Sequence, residues 1–213
     1  MTTDYSLYLV TDRPLSRGRS TIEIIKSAIF GGITCVQLRE KEASTREFIS
    51  EARAIQPLLA AHGIPLIIND RVDVALAVGA DGIHVGQSDM HIDDARKIVG
   101  GRMIIGVSAE SVEDAVEAEK RGANYIGVSP VFATPTKTDT APPLGLAGLA
   151  EIRRAVDIPI VGIGGINKTN AASVTAAGAD GVAVVSAVVS ADDPGAATAG
   201  LKSIIASSVS RGN

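Results

Sequence analysis

Short strand-like segments alternate with longer amphipathic ones along the whole chain, and this alternation constrains the fold more than any other feature of the sequence. A weak internal repeat supports it. Each copy combines a helix-ending glycine, a tight turn and a strand, and leads into the second, fourth, sixth or eighth predicted strand. The copies are GGITCVQL (31–38, the loosest), VGADGIHV (78–85), RGANYIGV (121–128) and AGADGVAV (177–184). The repeating unit is therefore two strand–helix modules, and four units predict eight strands and eight helices.

Strands that are apolar on both faces and joined by helical crossovers are typical of a parallel sheet covered by helices. Eight of them predict an α/β fold, a single (β/α)8 TIM barrel spanning residues 1–213 without an internal domain boundary. A doubly wound open sheet is the alternative. The predicted strands are Tyr5–Thr11, Cys35–Arg39, Pro65–Asn69, Gly82–Val85, Met103–Val107, Tyr125–Val128, Pro159–Ile163 and Gly181–Val185.

Capping chemistry marks the starts of two predicted helices. Ser20-x-x-Glu23 and Ser44-x-x-Glu47 both match the capping-box pattern, in which the serine and the glutamate each satisfy a free backbone N–H group. Pro57 lies within the second helical pattern, and we expect it to kink or split that helix.

Composition excludes several classes of protein. With 46% hydrophobic residues the chain is not disordered, and a net charge of −4 without a basic run argues against binding to nucleic acid. The single Cys35 fits a reducing compartment, and the N-terminal segment resembles neither a signal peptide nor a membrane span. We expect a cytoplasmic protein that acts on small molecules and binds neither nucleic acid nor membrane.

In TIM barrels the active site lies at the carboxyl ends of the strands, so the residues that end each strand are the candidates. The second strand ends in Gln37-Leu38-Arg39-Glu40-Lys41. Strand alternation directs Gln37, Arg39 and Lys41 to the barrel mouth and the residues between them toward the helices. Two cations at this end favour a diphosphate or another polyanion, and a solvated charge cluster is the alternative.

The third and fourth strands lead to acidic residues at the same end of the barrel. Asn69 and Asp70 end the third strand, and Asp89 lies in the loop after the fourth. Two carboxylates without a Cys or His cluster suit Mg²⁺, which takes few protein ligands and shares its shell with water and phosphate oxygens. Helix capping is the alternative role for all three residues.

Ser108 follows the fifth strand and is either a helix cap or a hydrogen-bond partner for substrate. We expect no histidine within reach of it, which argues against a serine nucleophile. His84 is interpreted as a core residue within the fourth strand, and His62 and His91 as exposed residues at helix ends.

Two loops late in the chain favour phosphate binding. The long loop between 129 and 145 contains one cation and several hydroxyls, although a rigid proline-rich connector is the alternative. The segment Gly162–Asn167 and the later Val185-Ser186 follow the seventh and eighth strands, where these barrels commonly bind a monophosphate. The sequence thus predicts one cationic, metal-assisted site for a diphosphate and one backbone site for a phosphomonoester.

Taken in order, these motifs resemble the thiamine phosphate synthase family along essentially the whole chain. The matching segments are QLREK (37–41), NDRVDVAL (69–76), DGIHVGQSD (81–89), GVS (106–108), ATPTK (133–137), GIGGI (162–166) and VVSA (184–187). The resemblance implies coupling of hydroxymethylpyrimidine diphosphate to hydroxyethylthiazole phosphate, which forms thiamine phosphate and releases pyrophosphate with the help of Mg²⁺.

The resemblance also implies roles for individual residues. Catalysis is assigned to Arg39, Lys41, Ser108 and Lys137, and the metal to Asp70 and Asp89. The residues implied for the pyrimidine diphosphate are Gln37, Leu38, Arg39, Glu40, Lys41, Asn69, Ser108 and Lys137. Those implied for the thiazole phosphate are Thr134, Pro135, Thr136, Gly164, Gly165, Val185 and Ser186.

Two alternatives to this function remain at the level of sequence. A related thiazole tautomerase needs only the phosphate site and an acid–base group, and a phosphometabolite-binding protein needs no metal. The combined diphosphate and metal set favours the synthase. No strong general base is expected at the site, which fits a dissociative reaction in which the diphosphate leaves first. A homo-oligomer is compatible with the fold, and the sequence leaves the oligomeric state open.

Overall fold

Eight short strands, hydrogen-bonded in parallel and in chain order, close into a barrel because β8 pairs with β1 as well as with β7. The structure is a computed structural model that describes residues 3–134 and 142–209. Closure confirms the predicted TIM barrel, and the open-sheet alternative is wrong. The strands are β1 (Leu7–Val10), β2 (Cys35–Leu38), β3 (Leu66–Asn69), β4 (Gly82–Val85), β5 (Ile104–Ala109), β6 (Tyr125–Val128), β7 (Ile160–Ile163) and β8 (Gly181–Val184).

The helices cover the outside of this barrel. A short 3-10 helix (Pro14–Ser16) precedes α1, and the four-residue α8 is an addition to the eight helices that the repeat predicts. The helices are α1 (Thr21–Phe30), α2 (Thr45–Ala60), α3 (Val72–Val78), α4 (Ile92–Val99), α5 (Val112–Lys120), α6 (Gly145–Ala155), α7 (Ala171–Ala176), α8 (Ser186–Val189) and α9 (Pro194–Val209). Among the described residues, no helix is long and apolar enough to span a membrane.

Side chains alternate along each strand between the barrel interior and the layer beneath the helices. The inward cluster includes Tyr8, Cys35 and Tyr125, whereas Val36 and Leu38 belong to the outer cluster that packs against the helices. The predicted orientation of the second strand is therefore confirmed. This alternation decides which side chains at the strand ends reach the barrel mouth.

Both predicted capping boxes are present. The Ser20 and Ser44 side chains accept the backbone N–H groups of Glu23 and Glu47, and each glutamate accepts the serine N–H in return. The prediction that Pro57 splits its helix is wrong, because α2 continues through Pro57 to Ala60. Pro57 is exposed in the last turn, where water offsets the loss of a single N–H donor.

The internal repeat corresponds to a recurring hydrogen bond at the amino end of the barrel. A polar side chain lies just before each even-numbered strand. It accepts a hydrogen bond from the backbone N–H group of the first or second residue of the preceding odd-numbered strand. The four pairs are Thr34 with Leu7, Asp81 with Leu66, Asn124 with Ile105 and Asp180 with Ile160, at 2.8–3.0 Å. Each bond ties two strand–helix modules together, which explains physically why the sequence repeats in pairs of modules.

Candidate active site

The carboxyl ends of the strands surround a cavity of about 360 Å³. Most of the predicted site residues meet there, although they come from seven different strand–loop junctions. Those lining the cavity are Gln37, Arg39, Lys41, Asn69, Asp70, Asp89, Ser108, Thr134, Gly164, Gly165, Val185 and Ser186. Pro135, Thr136 and Lys137 lie outside the described residues. The gathering of these side chains follows from barrel closure, which brings all carboxyl ends of the strands to one face.

Two predicted site residues point elsewhere. The Leu38 side chain is fully buried in the cluster beneath the helices. Glu40 pairs with Arg13 at 3.1 Å, and burial raises the pKa of its carboxyl despite that partner. Because both residues occupy the outward positions of the strand end, only their backbone groups are placed to contribute to the cavity.

Arg39 is held from both sides by the loop that follows β1. Asp12, only 8% exposed, accepts a hydrogen bond from the Arg39 guanidinium at 2.9 Å, and its other oxygen accepts the N–H group of Leu15. The Thr11 hydroxyl accepts the backbone N–H group of Arg39 at 2.9 Å. The guanidinium is thus positioned before any ligand binds. The sequence reasoning missed Asp12, although an acid directly after the first strand stands at a mouth position.

The paired carboxylates lie beside the second cation. Lys41 Nζ donates to Asp70 at 2.5 Å, and Asp89 accepts the Gly86 N–H group at 2.8 Å. Burial raises the pKa of Asp70, Lys41 opposes that shift, and the neighbouring Asp89 adds to it. Asp70 also has a left-handed backbone (φ 60°), an uncommon conformation for a residue other than glycine, and it lines the cavity.

This arrangement suits a hard divalent cation. Two adjacent carboxylates repel each other, and a cation between them relieves that repulsion. The described residues contain no group of three or more His, Cys, Asp or Glu side chains arranged to hold a metal. Mg²⁺ tolerates so small a set of ligands because water and phosphate oxygens complete its octahedral shell.

A chain of hydrogen bonds crosses the floor of the cavity. Gln37 Nε2 donates to Tyr8 Oη at 3.0 Å, and the hydroxyls of Tyr8 and Tyr125 lie 2.8 Å apart. His84 Nδ1 is 2.9 Å from Tyr125 Oη, and its Nε2 is 3.0 Å from Ser108 Oγ. The expectation that no histidine reaches Ser108 is therefore wrong. His84 and Ser108 lie at inward positions of the adjacent strands β4 and β5, which bring them together.

Glycines make room for the rings in this floor. A Cβ atom at Gly106 would overlap the ring of Tyr125, and one at Gly127 would lie 3.0 Å from His84 Cε1.

Sequence reasoning missed Tyr8, His84 and Tyr125 as cavity residues. Strand alternation, applied to the first, fourth and sixth strands as it was to the second, is the signal that finds them.

The loops after β7 and β8 form the other side of the cavity wall. Gly164 and Gly165 both have positive φ (102° and 64°), and a Cβ atom at Gly165 would lie 2.7 Å from the Ala133 carbonyl oxygen. Only glycine fits here, and the absence of side chains lets the backbone of both residues line the cavity. Val185 and Ser186 begin α8 next to this loop. The loops after β7 and β8 lie across the barrel from the cations after β2 and the acids after β3 and β4. In the strand order, β1 separates the two regions on one side, and β5 and β6 separate them on the other.

A closed barrel that gathers cations, acids and glycine backbone in one cavity at its carboxyl end belongs to the class of TIM-barrel proteins with a site suited to anionic small molecules. Comparison with known proteins narrows the class. Residues 7–188 match the family model described as thiamine monophosphate synthase, and the chain belongs to this family.

Similarity to individual relatives extends over almost the whole chain. The thiamine-phosphate synthase of Chloroflexus aurantiacus is 57% identical over 202 residues, 95% of this chain and 93% of the relative. That of Clostridium novyi is 54% identical over 193 residues, 91% of this chain and 95% of the relative. The solved structure of a thiamine phosphate pyrophosphorylase from Pyrococcus furiosus superposes with a TM-score of 0.91 at 42% identity, and the match covers 98% of both chains. The family predicted from the motifs is confirmed.

Proposed function

We propose that this chain is a thiamine phosphate synthase, a transferase that joins hydroxymethylpyrimidine diphosphate to hydroxyethylthiazole phosphate and releases pyrophosphate. The observation that carries the proposal is the convergence of two different anion-binding regions on one cavity. Arg39 and Lys41 directly follow β2, and the backbone of Gly164 and Gly165 lines the cavity across the barrel, after β7. An enzyme with one phosphorylated substrate needs only one such region.

The cationic side of the cavity suits the diphosphate. Arg39 binds two oxygens at once through its planar guanidinium, and Asp12 holds it in place for that contact. Lys41 is paired with Asp70, so its ammonium group already points into the region where the acids converge. Lys137 would add a third cation from the loop outside the described residues. Together these groups stabilise negative charge that grows on the departing oxygen.

Asp70 and Asp89 are the residues that would hold Mg²⁺, since they supply adjacent carboxylate oxygens at the cavity mouth. Bound there, Mg²⁺ would neutralise the diphosphate and make it a better leaving group.

The reaction breaks the bond between the pyrimidine methylene carbon and the diphosphate oxygen, and the oxygen keeps the electron pair. The electron-rich aminopyrimidine stabilises the carbocation that remains. The neutral thiazole nitrogen then forms the new carbon–nitrogen bond, so no base has to remove a proton from it. The backbone amides at Gly165 and Ser186, with Thr134, would hold the thiazole phosphate in line for this attack.

We further propose that residues 1–213 form one barrel domain of a cytoplasmic enzyme. The net charge of −4 and the absence of a basic run in the sequence support small-molecule substrates rather than nucleic acid or membrane as its partners.

The test is product formation by the purified protein with both phosphorylated heterocycles and Mg²⁺, detected by mass spectrometry. We expect thiamine phosphate and pyrophosphate in equal amounts. Binding of thiazole phosphate without any product would mean that the chain is a binding protein. Isomerisation of a thiazole carboxylate phosphate in place of coupling would make it a tautomerase.

A further inference from the structure

The hydrogen-bond chain in the cavity floor has two ends of different chemical character. It begins at the amide nitrogen of Gln37 and runs through Tyr8, Tyr125 and His84 to the hydroxyl of Ser108. Tyr8 and Tyr125 are fully buried, and burial holds the pKa of both hydroxyls well above its usual range. Each tyrosine therefore keeps its proton at neutral pH and must donate it to some acceptor.

The first bond sets a direction. An amide nitrogen only donates, so Tyr8 Oη accepts the proton of Gln37 Nε2. In the forward direction, Tyr8 donates its own proton to Tyr125 Oη at 2.8 Å. Tyr125 then donates its proton to His84 Nδ1 at 2.9 Å. In a neutral imidazole the remaining proton lies on Nε2, which donates to Ser108 Oγ at 3.0 Å.

The opposite direction is less favourable. In that direction Tyr125 would donate to Tyr8. Tyr8 would then have to donate its own proton to the thiol of Cys35. A thiol sulfur accepts hydrogen bonds more weakly than a hydroxyl oxygen does, and a poorly satisfied buried hydroxyl is costly. The forward direction gives each proton from Gln37 to His84 an oxygen or nitrogen acceptor within the chain.

We propose that Tyr8, Tyr125 and His84 are positioning residues that make Ser108 a hydrogen-bond donor to an acceptor atom of the bound heterocycle. Because His84 Nε2 occupies one lone pair of Ser108 Oγ, the serine proton is directed into the cavity that Ser108 lines. A ring nitrogen of a neutral aminopyrimidine is such an acceptor. In this arrangement His84 is a donor to Ser108 rather than its base, so the pair does not act as an activated nucleophile. The assignment of the acceptor to the pyrimidine rests on the proposed function.

The direct test is the protonation state of His84 in the intact protein, measured by two-bond nitrogen–proton correlation spectra of nitrogen-labelled samples near neutral pH. His62→Gln and His91→Gln variants identify the signals of the two other histidines, both of which are exposed. We expect a neutral ring with the proton on Nε2. A ring protonated on Nδ1, on both nitrogens, or exchanging between the two tautomers would overturn the proposal.

Tyr125→Phe tests the chain itself, because it removes the group that accepts from Tyr8 and donates to Nδ1. We expect the fixed tautomer to be lost and kcat/KM for the pyrimidine diphosphate to fall about tenfold, as for one lost hydrogen bond in a buried site, with KM for thiazole phosphate unchanged. Tyr5→Phe is the matched control. Its ring lies 4.6 Å from that of Tyr125, but its hydroxyl bonds to Thr3 and not to the chain, so we expect no change in tautomer or kinetics.

His84→Gln and His84→Leu separate the donor role from packing. The introduced amide of His84→Gln has a nitrogen that can still donate to Ser108, whereas leucine fills the space without a donor. We expect His84→Gln to keep clearly more activity than His84→Leu, with similar thermal stability. Equal activity of the two variants would contradict the donor role. If the wild-type protein forms no thiamine phosphate, the proposed function fails, while the tautomer measurement still decides the direction of the chain.

Discussion

At the scale of single residues, the site depends on side chains that hold other side chains. Among these residues, loss of Asp12 is expected to lower the free energy of unfolding most. Its buried carboxylate faces the Arg39 guanidinium, and the Arg39 side chain is only 25% exposed. Removing the acid leaves the arginine without its charged partner in a poorly hydrated place.

Asp12→Ala should therefore lower the free energy of unfolding by roughly 2 kcal/mol, below the full cost of breaking a completely buried pair. Urea unfolding near neutral pH measures the change. Asp192→Ala is the control, because the Arg17–Asp192 pair is exposed on both sides and should contribute less than about 1 kcal/mol. Equal effects of the two variants would show that Arg39 does not depend on Asp12.

Lys137 lies outside the described residues, and its role rests on the proposed function. If its ammonium group stabilises charge on the departing diphosphate, Lys137→Ala should lower kcat by more than it raises KM for thiazole phosphate. Steady-state kinetics with each substrate varied in turn gives both values. An unchanged kcat would remove Lys137 from the mechanism.

At the scale of secondary-structure elements, local chemistry starts the helices and the repeat closes the barrel. The capping box of α2 joins Ser44 and Glu47, and the bonds from Ser44 lower the pKa of the Glu47 carboxyl. A lowered carboxyl pKa means that this contribution is present above the ordinary glutamate pKa and is lost as the pH falls through the folded-state value.

Ser44→Ala should lower the free energy of unfolding by about 1 kcal/mol near neutral pH, as the loss of other N-cap hydroxyls does. The difference in stability between Ser44→Ala and wild type should become smaller in acid, because Glu47 is then protonated and its bond to Ser44 is lost. Chemical unfolding of the two proteins at neutral and at acidic pH measures this difference. Ser50→Ala, an exposed interior position of the same helix, should leave stability equal or slightly higher because alanine is the better helix former.

The sequence predicts the elements well where the repeat is strong. Gly82–Val85 and Tyr125–Val128 are strands with the predicted bounds, and both follow a glycine and a tight turn. The first strand is shorter than the predicted Tyr5–Thr11, because apolar character extends beyond the residues that find partners in β2 and β8. Periodicity reports which residues are apolar, and strand length is decided by pairing.

The floor of the site was harder to predict for a related reason. Tyr8 and Tyr125 are 117 residues apart in sequence, and their hydroxyls meet only because the barrel closes. His84 and Ser108 meet across neighbouring strands, and their contact depends on the register of β4 against β5. Charge at a strand end, together with strand alternation, pointed to Arg39, Lys41, Asp70 and Asp89, although the same signal at Asp12 was missed. Uncharged hydrogen-bond partners within the barrel carry no such signal.

At the scale of the whole molecule, an acidic chain concentrates cations and a pair of acids at one end of a barrel. The net charge is −4, yet Arg39 and Lys41 both face the cavity at the carboxyl ends of the strands. If Asp70 and Asp89 hold Mg²⁺, as proposed, the cavity needs a divalent cation before it accepts a diphosphate.

Pyrophosphate should accordingly stabilise the folded protein only when Mg²⁺ is present. At a free ligand concentration about 100 times Kd, binding adds about 2.7 kcal/mol to the free energy of unfolding, which thermal unfolding detects as a rise in Tm. An Asp70→Asn, Asp89→Asn double variant should lose the effect of Mg²⁺. Equal stabilisation with and without the metal would contradict the assignment of these two acids.

The most direct test of the central claim, that one cavity uses both anion-binding regions and the metal together, is the rate of pyrophosphate release in reactions that omit one component at a time. The account predicts release only with pyrimidine diphosphate, thiazole phosphate and Mg²⁺ together. Release at the same rate without thiazole phosphate would describe a diphosphate hydrolase, and an undiminished rate without the metal would contradict the role of Asp70 and Asp89.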